Sequence, residues 1–402
     1  MTTRRFVLKG AAGGLVLAGT GGFTRLARAG LPGGAVESGV LDALPGKQPL
    51  IKRSFRPPNY ETPVAYLGDA ITPNDRFFVR WHLANIPAVD AAQWRLSVGG
   101  DGAAGDLVLS LEQLRKDFEA VELVAVCQCS GNRRGLSDPH VPGVEWGYGA
   151  IGNARWKGAR LKDILTRAGL RKEAIEIAFD GGDSPALEGT PDFVKSIPTW
   201  KALDENTLVA YEMNGAPLPH WNGFPARIVV AGWTATYWMK QVVSIRALTT
   251  PLKSFWVNTA YRIPKGKFPV VDRFASQESD TTTPITEMVV NSLITNLTDG
   301  QRIRAGNAVV AKGIAWDGGY GIRRVECSID DGRTWLAAEL GADLGRFSFR
   351  PWRFAFTPRI RGPLALLARA SNVLGATQTS ELIFNAPGYH NNVFHKIGIE
   401  IT

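Results

Sequence analysis

The chain has 402 residues, enough for two domains of ordinary size, and its 45% hydrophobic and 21% charged content is that of a globular protein rather than a disordered one. Its formal charge of +9 overstates the folded part: five of the 46 basic residues (Arg4, Arg5, Lys9, Arg25 and Arg28) lie in the first 29 positions with no acid among them, leaving 41 against 37 and a net +4. That balance, with no Lys/Arg-rich tract, excludes a nucleic-acid-binding role, and three cysteines (Cys127, Cys129, Cys327) make no disulfide framework.

In chain order, Arg4-Arg5-Phe6-Val7-Leu8-Lys9 precedes an uncharged, Gly/Ala-rich stretch over residues 10–24, and Ala27-Arg28-Ala29 offers a small-x-small cleavage pattern. Residues 1–29 are therefore expected to be a twin-arginine export leader, which places the mature chain in the periplasm. The stretch is too short and glycine-rich to span a bilayer, and no other apolar run is long enough, so no integral membrane segment is expected after cleavage. Residues 30–63 are proline-rich (Arg56-Pro57-Pro58) and predict an irregular extended segment lying on a domain surface.

From residue 64 helix and strand signals mix. Ser110-Leu111-Glu112-Gln113 is a capping-box pattern opening a short helix, and residues 161–168 predict a helix stopped by Gly169. Residues 121–126, 175–179, 207–211 and 227–230 predict strands, with Asn214-Gly215 as a hairpin turn. There is no regular βαβ alternation, so the class is α+β. The polar passage over residues 265–285 marks the domain boundary, which divides the chain into residues 64–280 and 281–402. Beyond it Val325, Cys327 and Ile329 alternate with polar residues, as do Leu364, Leu366 and Ala368, and the pattern fits an immunoglobulin-like β-sandwich.

The chemistry concentrates where an apolar run delivers Cys129 into a Ser130-Gly131-Asn132 turn followed by Arg133 and Arg134. A free cysteine at a strand end is ordinarily a small buried hydrophobe. Fixed cations beside a thiolate instead make a soft metal ligand next to an anion trap. Cys127 is read as core, and so is Cys327, which alternates toward the sandwich interior. No second cysteine pair exists to complete a zinc site.

Gln128-Cys129-Ser130-Gly131-Asn132-Arg133-Arg134 resembles the signature of the sulfite oxidase family of molybdenum enzymes. Arg80-Trp81-His82-Leu83 is similar to the family's Arg-x-His-Leu segment. Further agreement, in order, comes from Glu145-Trp146, Ala154-Arg155-Trp156-Lys157-Gly158, Tyr211-Glu212-Met213-Asn214-Gly215, and Gly223-Phe224-Pro225-Ala226-Arg227. The resemblance implies a molybdopterin-binding domain followed by a dimerisation sandwich, with molybdenum and molybdopterin as cofactors and Cys129 as the metal ligand. It also implies oxidation of sulfite to sulfate, with Arg80, Arg134 and Tyr261 facing the anion; a tight turn after Cys129 would point Arg133 the opposite way, into a structural role. His82, Asp183, His220, Arg227 and Lys240 fall in cofactor-holding positions. The His220-to-Arg227 spacing is wider than in animal members, so either His220 or Asn222 takes that role. Pro142 stands where animal members carry a pocket lysine. Most of the twelve tryptophans read as core, with Trp146 and Trp233 as further pocket candidates.

A twin-arginine route carries folded proteins and suits a cofactor inserted before export. No Cys-x-x-Cys-His occurs, and the leader runs directly into the molybdenum domain, so electrons are expected to leave singly to a separate cytochrome c. The expected protein is a homodimeric sulfite dehydrogenase. A nitrate reductase or an S- or N-oxide reductase of the same family is the alternative. A non-enzymatic exported β-sandwich binding protein is the alternative from another class, and it gives no reason for Arg80, Cys129 and Tyr261.

Overall fold

A computed structural model describes residues 40–269, 271 and 273–402. The expected leader, and the first part of the proline-rich segment, lie outside the described residues. The described residues fall in one compact unit. No described helix is long and apolar enough to cross a membrane.

The proline-rich segment is not irregular. Val40–Asp42, Leu50–Ser54, Asn59–Glu61 and Val79–Arg80 form a four-stranded sheet in chain order, with its own core of Leu44, Leu50, Tyr60, Val79 and Trp81. Pro57 and Pro58 occupy the turn between the second and third strands, where a missing N–H breaks no ladder. Composition pointed to an extended surface segment because the prolines cluster. The buried Leu50, Ile51 and Tyr60 decide otherwise.

The local predictions between residues 110 and 230 hold. Ser110 caps the helix Leu111–Lys116 through both arms of the capping box: Gln113 N donates to Ser110 Oγ at 3.1 Å and Ser110 N to Gln113 Oε1 at 2.8 Å. The helix Leu161–Arg167 ends into Gly169 at φ +71°. Asn214 and Gly215, both left-handed (φ +54° and +76°), turn Thr207–Met213 into Ala216–Pro217, which is the twist a two-residue hairpin requires.

Two sheets carry the first part of the chain. In one, Ala120–Gln128 pairs along its whole length with Ile151–Arg160, then Thr207–Met213, which also pairs with Arg227–Val230. In the other, the order is Lys195–Pro198, Glu176–Gly181, Val242–Leu248, Arg95–Gly99 and Leu107–Ser110, with one parallel pair between Val242–Leu248 and Arg95–Gly99. The class is α+β, with short helices and mixed sheets.

From Asn291 onward only strands occur, in two facing sheets. Their core includes Val325, Cys327, Trp352, Leu366, Ala368, Ile397 and Ile399, so Cys327 is a core residue as expected. The strand carrying the signature cysteine is tied to this sandwich. Val126 and Ile151 share a buried cluster with Leu293, Ile314 and Trp316, and Trp316 Nε1 donates to the buried Gln128 Oε1 at 2.6 Å. The boundary passage is closed at its base, since Arg262–Pro264 pairs with Thr282–Pro284.

Candidate active site

Cys129 leaves the strand Ala120–Gln128 with its amide donating to Ala150 O at 2.9 Å, and the chain then folds back, Asn132 N reaching Cys129 O and Arg134 N reaching Gly131 O at 2.9 Å each. Asn132 Oδ1 accepts from Ala150 N at 3.0 Å, locking the turn to the neighbouring strand. Behind that strand's approach lies Glu61, a fully buried carboxylate that accepts from Gly147 N and Gly149 N, both at 2.8 Å, and pairs with Arg53 at 2.8 Å. Arg133 sits at φ +69° and points away from the thiol, into Asn291 Oδ1 (2.5 Å) and Val393 O (2.8 Å), with its guanidinium 5.0 Å over Tyr148. It is a structural bracket to the sandwich, as its place in the turn implied.

Cys129 opens into a cavity whose wall holds three cations, Arg80, Arg227 and Lys240, and no carboxylate among the described residues. His82, Tyr261, Asn222 and Trp221 complete much of the rest. Elements far apart in the chain converge here: Arg80 ends the small N-terminal sheet, Arg227 starts a strand of the central sheet, and Tyr261 follows the helix Phe255–Asn258. The Tyr261 hydroxyl contacts His82 Nε2 and hydrogen-bonds with Arg80. Burial pushes that hydroxyl's pKa up, with Arg80 opposing, so the phenol keeps its proton at neutral pH. Burial holds the His82 imidazole far below its usual range, and the charges of Arg80, Lys240 and Lys195 add to the shift. It is therefore neutral. Lys240 lies 4.4 Å over the Trp81 ring; its dense surroundings lower its pKa to about 7, and Arg227 adds to this while Asp183 opposes it.

Cys127 is a buried core residue, as expected, and it also lines the cavity. Cys129 N still bonds Ala150 O just past the strand end, and Cys127, two residues earlier, lies on the same cavity wall with Arg227 Nη2 at 3.8 Å from its sulfur. Burial raises its pKa, against Arg227. Of the two alternatives downstream, Asn222 faces the cavity and His220 does not. His220 packs edge-on against Trp221, with ring centroids 4.7 Å apart, whereas Asn222 accepts from Lys47 Nζ at 2.6 Å and donates to Phe78 O at 3.2 Å. Asp183 is buried near Lys240 but off the wall, its pKa raised by burial with Lys240 opposing. Trp146 and Trp233 are corrected to core: both are fully buried and neither lines the cavity, Trp233 packing against Tyr237 and Trp200. Arg134 is held just outside the wall, its Nε donating to Pro387 O at 2.8 Å.

Several residues carried no signal in the sequence. Lys47 lies in the proline-rich segment yet reaches Asn74 O, Phe77 O and Asn222 Oδ1 at 2.6–3.0 Å. Phe193 stacks on His82 at 3.5 Å and 11°. Lys195 is a buried cation over both Tyr237 and Tyr261, at 4.7 and 5.0 Å, and Tyr389 stacks on Tyr261.

Three buried polar atoms of this cavity's lining residues, His82 Nδ1, Arg227 Nε and Thr236 Oγ1, have no partner among the described residues. Buried polar atoms are almost always paired, so these three are free to meet a ligand in the cavity. No group of three or more His, Cys, Asp or Glu among the described residues is arranged to hold a metal. The donors on the wall are instead two thiols, Cys127 and Cys129, beside three basic side chains. This set fits a metal brought on an anionic, phosphate-bearing carrier that supplies the remaining ligands. A larger, more open groove elsewhere, lined by Asp180, Arg246, Lys253 and Arg262, has no thiol and none of the residues singled out from the sequence.

Residues 82–256 match the family described as the oxidoreductase molybdopterin binding domain, and residues 282–402 match the Mo-co oxidoreductase dimerisation domain. The chain is 35% identical over 374 residues to the mitochondrial sulfite oxidase of Rattus norvegicus, covering 89% of this chain and 67% of that one. It is 28% identical over 382 residues to the sulfite oxidase of Arabidopsis thaliana (88% and 94% covered), and 28% identical over 394 residues to nitrate reductase [NADH] 1 of rice, Oryza sativa subsp. japonica (91% and 43% covered). Among solved structures, the sulfane dehydrogenase SoxCD from Paracoccus pantotrophus superposes with a TM-score of 0.73 at 23% identity, over 97% of this chain and 93% of that one, a likeness of fold.

Proposed function

The chain belongs to the sulfite oxidase family of molybdopterin oxidoreductases, and from that premise we propose that it oxidises sulfite to sulfate and passes the electrons singly to a cytochrome c. The observation that carries this reading is the Cys129 thiol opening into a cavity with three basic side chains and, among the described residues, no carboxylate on its wall. When bound, molybdenum-molybdopterin supplies the two-electron redox chemistry; overall, sulfur gains one oxygen from water and two protons are released.

The chain's own residues divide this work. Cys129 is the thiolate ligand, held at the strand end by the Ala150 contacts. Arg227, Lys240, His82 and Asn222 hold the cofactor: the two cations neutralise its phosphate, and the orphaned His82 Nδ1 and Arg227 Nε provide unused polar atoms. Arg80 and the protonated Tyr261 hydroxyl meet the substrate oxyanion, and Arg134 adds charge from just behind. Asp183 tunes Lys240 from off the wall. Export to the periplasm rests on the Arg4-Arg5 leader pattern, and a homodimer on the match of residues 282–402 to a dimerisation domain.

The test is sulfite-dependent reduction of a small soluble cytochrome c by the molybdenum-loaded chain, run beside nitrate reduction. Cys129→Ser should abolish turnover while leaving the thermal transition in place. Turnover with oxygen but not cytochrome c would contradict the acceptor, and nitrate turnover exceeding sulfite turnover would contradict the substrate.

A further inference from the structure

Tyr261 and Arg134 are both held by a stretch of chain that the sequence placed in the sandwich. After the strand Gly362–Asn372 the chain first turns back along it, Gln378 N donating to Ala370 O at 3.2 Å, and forms no further strand until His395–Ile401. Between them, Tyr389 lies parallel to Tyr261, with ring centroids 5.7 Å apart and 6° between planes, and the Arg134 guanidinium sits 5.1 Å over the Tyr389 ring. The segment is tightly fastened. Arg134 Nε donates to Pro387 O at 2.8 Å, Asn391 Nδ2 to Arg133 O at 3.1 Å, and Asn385 brackets Tyr389 through its side chain at 2.8 and 3.0 Å.

Backbone conformation marks the same place. Tyr261 (φ +60°), Arg133 (φ +69°) and His390 (φ +55°) all adopt the left-handed region, which bulky residues occupy only where their surroundings hold them. An aromatic stack on Tyr261 is such a hold.

We propose that Tyr389, brought by the C-terminal part of the chain, is a positioning residue that fixes Tyr261 and Arg134 at the anion end of the active site. It does not line the cavity. It acts through its ring: the stack orients the Tyr261 hydroxyl toward Arg80, and the cation–π contact keeps Arg134 from swinging to solvent. The role of that end as a sulfite site rests on the function proposed above.

The experiment compares Tyr389→Phe, Tyr389→Leu and Gly388→Ala in the full molybdenum-loaded chain, measuring molybdenum content, sulfite KM and kcat, and sulfate binding by calorimetry. Tyr389→Phe keeps the ring and should hold KM within about twofold. Tyr389→Leu loses the stack and the cation–π contact together and should raise KM and weaken sulfate binding roughly tenfold, with kcat falling less and molybdenum content unchanged. Gly388→Ala displaces the segment without touching the ring. A Cβ there would meet Val141 Cγ2 at 2.5 Å and Arg134 Cγ at 2.9 Å at a backbone φ of +62°, so KM should rise again. Unchanged KM and sulfate affinity in both Tyr389→Leu and Gly388→Ala would overturn the proposal, as would Tyr389→Phe falling as far as Tyr389→Leu. An unaltered chain that binds sulfate without oxidising sulfite would count against the proposed reaction alone, since the calorimetric comparison still reads the positioning.

Discussion

Glu61→Gln tests whether the small N-terminal sheet sets the loop behind the cysteine. The carboxylate is 1% exposed, accepts from Gly147 N and Gly149 N at 2.8 Å each, and faces Arg53 Nε at 2.8 Å. Glutamine has the same shape but only one acceptor oxygen, so at least one of the two amides loses its partner, at about 1–3 kcal/mol. Removing the carboxylate from a buried ion pair costs on the order of 3–5 kcal/mol, and because the two losses share one group they overlap to about 3–5 kcal/mol in total. Unfolding entropy of about 2 cal/mol/K per residue makes each kcal/mol worth roughly 1–1.5 °C in a chain of this length, so Tm should fall by about 4–6 °C. Because Gly149 leads into Ala150, which holds Cys129 N and Asn132 Oδ1, molybdenum content after reconstitution should fall too. Thermal circular dichroism and metal analysis read the two effects. A Tm within about 1 °C of the unaltered chain would refute the reasoning.

Three further outcomes follow from the same geometry. Lys195 has its pKa lowered from 10.5 to about 7, by burial first and Arg262 second, so between those values the unfolded chain binds more protons and stability rises with pH. Lys195→Met removes that dependence; its stability relative to the unaltered chain should be greatest at pH 7 and below and should decline toward pH 10 in parallel melts, and a constant difference would contradict the sign. Asn222→Ala should lower cofactor retention severalfold while His220→Ala leaves it nearly unchanged, measured as molybdenum per chain, because only Asn222 faces the cavity; the reverse order would refute the placement. Gln128→Leu leaves Trp316 Nε1 buried without its acceptor and should cost about 1–3 kcal/mol by denaturant unfolding, but much less in a Trp316→Phe background. Equal costs in the two backgrounds would show that this bond does not tie the sandwich to the cysteine strand.

Legibility in the sequence followed the range of the interactions. The Ser110 capping box, the Asn214-Gly215 turn, the strand from Arg227 and the tight turn after Cys129 are each specified within a few residues by hydrogen bonds or backbone preferences, and each holds in the structure. The same local logic turned Arg133 away from the thiol. Periodicity failed where composition misled: clustered prolines hid the strands Leu50–Ser54 and Asn59–Glu61, and with them Lys47 and Glu61.

By itself, then, the sequence determined the class, the sandwich core around Cys327, and the thiol–turn–arginine unit, because neighbours along the chain enforce them. Only the tertiary structure decided that Cys127 shares the wall with Cys129, that Asn222 rather than His220 faces the cavity, and that Arg134 stands behind it. It alone brought Lys47 to Asn222 across 175 positions and Pro387 to Arg134 across 253. Such meetings depend on how sheets stack and where a loop leaves its domain. No spacing in the chain encodes those choices; packing does, by burying apolar faces together and leaving the charged side chains to converge on one cavity.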